Sequence, residues 1–165
     1  MLPQGWILTT FHLPILEIFG GGTPSKDSPD YWNGSIPWCS VKDLGKNKYI
    51  SNTICSITKK GLENSSSKIV KAGNIILCTR ISIGKIRIPT IDMAINQDLK
   101  GITLSSYFVQ DFFIICVKAA SLKGTGTTVK GIHINSFLSL PIFLPPLKEQ
   151  IKIVAKIDLL NQLIE

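Results

Sequence analysis

The chain predicts an α+β fold, a strand-rich mixed α/β body followed by a projecting C-terminal helix, and three observations carry that expectation. Short runs rich in Ile, Val and Thr recur between clusters of Gly, Pro, Asn and Ser, the punctuation of a many-stranded body. One internal stretch, Tyr107 to Ala120, places Phe108, Phe112, Ile115, Cys116 and Ala119 at helical spacing. After Pro145-Pro146, Ile153, Ile157, Leu160 and Ile164 recur at steps of four, three and four, the seam of a helix that packs lengthwise on another helix. With 165 residues there is material for one domain, residues 1–146, and the start of a helix at 147–165.

Taken in order, Leu2-Pro3-Gln4-Gly5-Trp6 is a turn carrying a large aromatic, and Pro14 keeps the apolar run from Phe11 to Phe19 from being one helix. Gly20-Gly21-Gly22-Thr23-Pro24-Ser25 is loop, because three glycines melt regular structure and proline sets the exit. Asn33-Gly34 signals a turn before a strand from Ile36 to Val41. A basic loop, Lys42 to Lys48, leads to short strands at Tyr49-Ile50 and Thr53 to Ile57, and Thr58 is the N-cap of a short helical turn. Ile69-Val70 is a short strand, and the unbroken apolar run Ile75 to Cys78 is of buried-strand type. Isoleucines alternate at 81 and 83, then at 86 and 88, so a bulge or tight bend at Gly84 would keep both pairs facing the core. Ala94 to Gln97 and Lys100 to Leu104 add short strands. Phe137 to Leu144 reads as an extended apolar run that halts at Pro145-Pro146.

Composition narrows the function. Lys+Arg number 18 against 11 Asp+Glu, a net of +7, which favours a polyanionic partner. Cys39, Cys55, Cys78 and Cys116 lack both a C-x-x-C pair and a nearby histidine, and are expected as buried free thiols of a reducing cytosol rather than metal ligands. No signal peptide opens the chain, and the apolar runs fall far short of the roughly 20 residues a membrane span needs, so a soluble, cytoplasmic protein is expected.

A search for an active site comes back empty. Neither glycine-rich stretch ends in the Gly-Lys-Ser/Thr of a phosphate loop. Pro145-Pro146 resembles the core of the adenine-methyltransferase tetrapeptide, but Leu144 and Leu147 stand where its amide or acid and its aromatic belong. Asp98-Leu99-Lys100 resembles the tail of a metal-dependent nuclease signature, with Pro29-Asp30 too distant to serve as its first half. His12 and His133 have no acid or nucleophile in sequence context. No catalytic or metal-ligating set is expected. Binding fares better: Lys42, Lys46, Lys48, Lys59 and Lys60, with Asn47 and Thr58 among them, could reach phosphates and base edges. Arg80, Lys85 and Arg87 flank one strand region, and Gln97 is a further candidate groove contact. Solvated loop charge is the alternative for all of them.

An ordered series of motifs adds to this reading. Leu2-Pro3-Gln4-Gly5-Trp6, Gly21-Gly22-Thr23-Pro24-Ser25, Tyr31-Trp32-Asn33-Gly34, Ile36-Pro37-Trp38, Lys42-Asp43-Leu44, Asn64-Ser65-Ser66, Thr79-Arg80 with Ile83-Gly84-Lys85, Asn96-Gln97, Gly126-Thr127-Thr128 and Leu144-Pro145-Pro146-Leu147-Lys148-Glu149-Gln150 together resemble the specificity subunit of type I restriction-modification systems. The resemblance implies a target recognition domain that reads one half of a split site in double-stranded DNA, and a helix that sets the distance to the other half. It implies no catalysis and no cofactor in this chain: S-adenosylmethionine would sit on a partner methyltransferase subunit, and a separate restriction and motor subunit would cut. It also makes Trp38, Gly84 and Pro146 scaffold rather than base readers. The family pattern has two recognition domains and two antiparallel helices, whereas one of each is present here. A half-length subunit pairing with a copy or with another half, a truncated reading frame and a fragment all fit that length. The rival expectation is an assembly module that binds a methyltransferase subunit or a second specificity chain through Ile153, Ile157, Leu160 and Ile164, with little DNA affinity of its own.

Overall fold

A computed structural model describes residues 2–125 and 130–163. Strand β1 (Ile7–Thr10) and β2 (Ile15–Gly20) lie on either side of Pro14. A single 3-10 turn (Pro29–Tyr31) enters β3 (Trp32–Cys39), and a second (Val41–Asp43) leaves it. There follow β4 (Tyr49–Ile50), β5 (Cys55–Ile57), helix α1 (Lys59–Glu63), β6 (Lys68–Val70), β7 (Ile75–Cys78), β8 (Ile86–Pro89), β9 (Met93–Ile95) and β10 (Leu99–Leu104). The chain closes with α2 (Gln110–Ala119), α3 (Ile134–Leu138), β11 (Pro141–Leu144) and α4 (Leu147–Gln162). None of the described helices is long and apolar enough to cross a membrane.

Contacts divide the chain into two units. The larger, residues 17–103 and 123–132, holds a five-stranded sheet in the order β2-β10-β7-β8-β4 and a four-stranded sheet in the order β5-β3-β9-β6. Strand β7 is central and buried throughout, as its unbroken apolar run requires. Its partners β10 and β8 are both antiparallel, while β3 pairs antiparallel with β5 and parallel with β9. Cys39, Val70, Ile76, Cys78, Met93, Ile95 and Leu99 form one core cluster drawn from both sheets, closed by Leu44 and Ile50.

The smaller unit, residues 1–16, 104–122 and 133–165, is built on the β1/β11 ribbon and on α4 packed against α2. Phe11 is its pivot, stacked on Phe137 at 4.7 Å and edge-on to Phe113 at 5.5 Å. Gln150 is the one buried polar side chain of α4, 1 % exposed. Its Oε1 accepts from Val109 N at 2.8 Å, and its Nε2 donates to the carbonyls of Tyr107 and Pro145, both at 3.1 Å. A glutamine fits here because a single amide supplies both an acceptor and two donors.

Several expectations need correction. Asn33-Gly34 is no hairpin turn: Asn33 sits at φ 58 inside β3, where the register to β5 shifts, so the pair forms a bulge. Gly84 does bend the chain, at φ 82, and Ile86 and Ile88 are buried. Ile81, however, is 66 % exposed, because residues between β7 and β8 form a hairpin loop and not a strand. Phe137 and Leu138 are helical, the extended run beginning only at Pro141. The buried face of α2 is Phe112, Phe113, Ile114 and Val117, whereas Ile115 and Cys116 are half-buried and Ala119 is exposed. Of the seam, Ile153 and Ile157 are half-buried, Leu160 is 50 % exposed, and Ile164 lies outside the described residues, as do Gly126, Thr127 and Thr128. All four cysteines are free, but only Cys39 and Cys78 are buried; Cys116 is half-buried and Cys55 is exposed.

Two tests follow from this packing. Gln150→Leu leaves three backbone groups, one buried and two part-buried, without their partner and should cost about 2–4 kcal/mol, read as a lowered midpoint in urea; an unchanged midpoint would refute the role. Burial, aided by the charge of Asp43 and of Cys78, pushes the Cys39 thiol from an ordinary 9.0 up to about 12. Below pH 9 it is neutral in both folded and unfolded chains and contributes nothing. Above pH 9 the unfolded chain gives up a proton that the native one keeps, so stability falls from about pH 9 to about pH 12. Cys39→Ala should flatten that fall. Alkylation of the native protein at neutral pH should modify Cys55 rapidly and the other three slowly.

Candidate nucleic-acid interface

The larger unit carries a cleft of about 530 Å³, and its walls can be traced residue by residue. Strand β3 supplies Trp32 and Trp38, whose rings meet edge to face at 5.2 Å. Both indole N–H groups are engaged with the glycine-rich loop, Trp38 Nε1 donating to Gly22 O at 3.1 Å and Trp32 Nε1 to Ser25 O at 2.9 Å. That loop can approach so closely because Gly21 and Gly22 lack side chains. A Cβ on Gly21 would strike the Ile95 carbonyl, and one on Gly22 the Ser66 hydroxyl. Gly22 N donates to Ile95 O at 3.0 Å, which sets Thr23 at the cleft wall.

On the opposite flank a single carboxylate holds the chain. Asp43 accepts from Ser40 N and Ser40 Oγ, each at 2.8 Å, and from Ile54 N at 2.6 Å. This fixes the turn that carries Lys42 and the segment that carries Ile54, both lining the cleft. Beyond β9, Thr23 Oγ1 donates to Gln97 Oε1 at 2.5 Å, so the Gln97 carbonyl is held and its amide N–H groups remain to donate. Asn96 is buried and bonded reciprocally with Asp98. Ser40, Cys55, Lys26 and Lys42 complete the lining, and neither lysine has an ion-pair partner among the described residues.

The sequence-derived candidates scatter over this unit. Lys42 and Gln97 line the cleft. Lys46, Asn47 and Lys48 are exposed on the loop before β4, Lys48 lying 5.4 Å from the centre of the Tyr49 ring. The Thr58 hydroxyl donates to Asp30 O at 2.7 Å and accepts from Gly61 N at 3.0 Å, so it is occupied as the cap of α1. Lys59 pairs with Glu63 at 3.7 Å and Lys60 with Asp30 at 3.0 Å, the hydrogen bond to Asp30 raising the Lys60 pKa. Arg80 meets Asp98 at 3.4 Å, so the acid of Asp98-Leu99-Lys100 is held by a cation and an amide. Lys85 Nζ donates to Leu44 O at 3.4 Å. Arg87 is half-buried, its pKa lowered by burial and its Nε without a partner among the described residues. Burial, and then the charge of Arg80, likewise lowers the pKa of Lys100.

Sequence reasoning passed over Lys26, Thr23, Trp32, Ile54 and Asn96 as site residues, although most of them stand within or beside the motifs quoted above. Charge also divides unevenly. The larger unit holds fourteen Lys/Arg against seven Asp/Glu, and the smaller four against four, so the whole net charge of +7 resides on the unit with the cleft.

Comparison with known proteins places the chain. The family model described as type I restriction modification DNA specificity domain matches residues 14–165. The chain is 28% identical, over 99% of its length, to the type I restriction enzyme MjaIX specificity subunit of Methanocaldococcus jannaschii, and covers 40% of that protein. It is 30% identical, over 85% of its length, to the EcoR124I/EcoR124II specificity subunit of Escherichia coli, covering 37% of it. Among solved structures, a chain from a study of assembly and conformational transition of the type I R-M system has a TM-score of 0.78 at 20% identity, over 99% of this chain and 40% of that one. The HsdS subunit from Thermoanaerobacter tengcongensis has a TM-score of 0.73 at 18% identity, over 99% and 39%. These two likenesses show a shared fold, and the chain spans about two fifths of the length of the relatives it matches. Its strand-rich body with a terminal helix, its motif order and the match over residues 14–165 agree: the chain belongs to the type I restriction modification DNA specificity domain family.

Proposed function

We propose that this chain recognises one half of a split site in double-stranded DNA and directs partner methyltransferase and restriction subunits to it. The observation that carries the reading is the charge division: the smaller unit is neutral and the larger holds the entire surplus. Within the larger unit most acids are already engaged. Asp43 holds backbone, while Asp30, Glu63, Asp92 and Asp98 pair with Lys60, Lys59, Lys71 and Arg80. Among the described residues, what remains without an ion-pair partner is a set of exposed lysines, including Lys26, Lys42 and Lys46, suited to phosphate oxygens. In this reading Gln97 and Asn47 offer amide groups to base edges, while Arg80 and Lys85 support the surface. The chain specifies and does not catalyse; S-adenosylmethionine belongs to the methyltransferase partner and cutting to the restriction partner.

A second function accompanies the first. Helix α4 leaves Leu159, Leu160 and Leu163 at 57 %, 50 % and 75 % exposure, beyond the half-buried Ile153 and Ile157. An apolar end of this kind suits a helix of a methyltransferase subunit or of a second specificity chain. Co-purification with a methyltransferase subunit, lost on Leu160→Asp, is the expected result; retention would remove that helix from the interface.

For the DNA function the measurement is affinity against salt. Lys46→Ala with Lys48→Ala should weaken binding on every duplex and flatten the slope of log affinity against log salt by roughly 0.9 per lost phosphate contact. An unchanged slope would take both lysines out of the interface.

A further inference from the structure

The shape and chemistry of the cleft point past groove reading, and the following step rests on the DNA reading above. Base edges in the major groove are read by convex elements, a helix or a two-stranded ribbon, that enter the groove. The cleft of about 530 Å³ is concave, so whatever fills it must protrude from the ligand. Two parts of a nucleic acid that can do so are the phosphate backbone and a base that has left its stack. A phosphate alone does not suit walls made of Trp32, Trp38 and Ile54, which reward a flat apolar ring. The remaining lining suits the rest of a nucleotide. Gln97, its carbonyl steadied by Thr23, keeps amide donors for the polar edge of a base, and Lys26 and Lys42 have no ion-pair partner among the described residues to compete with a phosphate.

We infer that the cleft takes one unstacked nucleobase, placed against Trp32 with Gln97 on its polar edge and its phosphate met by Lys26 and Lys42. The same chemistry would accept a base extruded from DNA or a free mononucleotide, and the test separates the two sources. The volume is within the roughly 300–1,000 Å³ usual for sites that bind small organic ligands. Stacking on an aromatic side chain strengthens binding about 5- to 150-fold per base. Because extrusion costs least for a base without a partner, a duplex with one unpaired adenine is the sensitive probe.

The full chain is titrated with a perfect duplex, with the same duplex carrying one bulged adenine, and with dAMP. The bulged duplex should bind about tenfold more tightly than the perfect one. 2-Aminopurine in the bulge should be quenched on binding. Trp32→Ala and the surface change Gln97→Ala should each bring the preference for the bulged over the perfect duplex below about twofold. Circular dichroism checks Trp32→Ala for folding, and Gln97→Ala decides the matter if that variant is unfolded. Competition by dAMP at micromolar concentration assigns the cleft to free nucleotide, and none at millimolar concentration assigns it to a base on a strand. Equal affinity for the two duplexes without dAMP binding, or a preference that survives Gln97→Ala in a folded protein, overturns the inference. Loss of affinity for both duplexes overturns the DNA reading instead; dAMP quenching of tryptophan emission then still supports the cleft, and its absence removes both.

Discussion

Backbone lies against backbone at Gly21 and Gly22, and the candidate site depends on that approach. The loop sits so near β9 that a methyl group on either residue would collide, with the Ile95 carbonyl in one case and the Ser66 hydroxyl in the other. Everything on that side of the cleft is placed by the loop. Trp38 reaches the Gly22 carbonyl, Trp32 reaches the Ser25 carbonyl, and Thr23 reaches the Gln97 amide. A glycine here costs conformational entropy in the unfolded chain, a loss offset in part by burying the Trp38 indole with its N–H group satisfied. The far side has its own anchor in Asp43, three of whose contacts are to Ser40 and Ile54. The cleft is thus held by hydrogen bonds to backbone on both flanks, with the candidate ligand contacts Lys26, Lys42 and Gln97 left toward solvent.

Charge and apolar surface are allotted to different units of the chain. One unit carries the whole positive surplus and the cleft; the other is neutral and carries exposed leucines on α4. That allotment fits the proposed function, in which one partner is recognised by long-range attraction and amide hydrogen bonds and the other by apolar contact. Buried polar groups follow the same logic at short range. Gln150 and Asp43 are not available to a ligand because each already satisfies several backbone groups.

Most of the architecture was legible in local chemistry. The apolar run Ile75 to Cys78, the Thr58 cap and the helix after Pro145-Pro146 depend on short-range rules and are found where those rules put them. Failures came where a local signal met a tertiary constraint. Asn33-Gly34 has turn chemistry, yet β5 pairs on both sides of it and turns it into a bulge. Ile81 has strand chemistry, but the hairpin between β7 and β8 must reverse there. Phe137 lies in a short helix where its apolar run had promised a strand, and its ring stacks on Phe11 from far earlier in the chain.

The sequence by itself determined the family, the net charge, the strand-rich class and the terminal helix, because motif order, composition and hydrophobic period are properties of neighbours along the chain. Only the tertiary structure decided which charges are free. Lys60 and Arg80 look like Lys26 and Lys42 in the sequence, but the fold brings an acid to each of the first two and, among the described residues, to neither of the last two. Thr58 and Gln97, similar as polar candidates, part in the same way: one is spent on the cap of α1, while the other keeps its amide donors at the cleft. Pairing depends on what folding brings within about 4 Å, and residues such as Asp30 and Lys60 are 30 positions apart before it does.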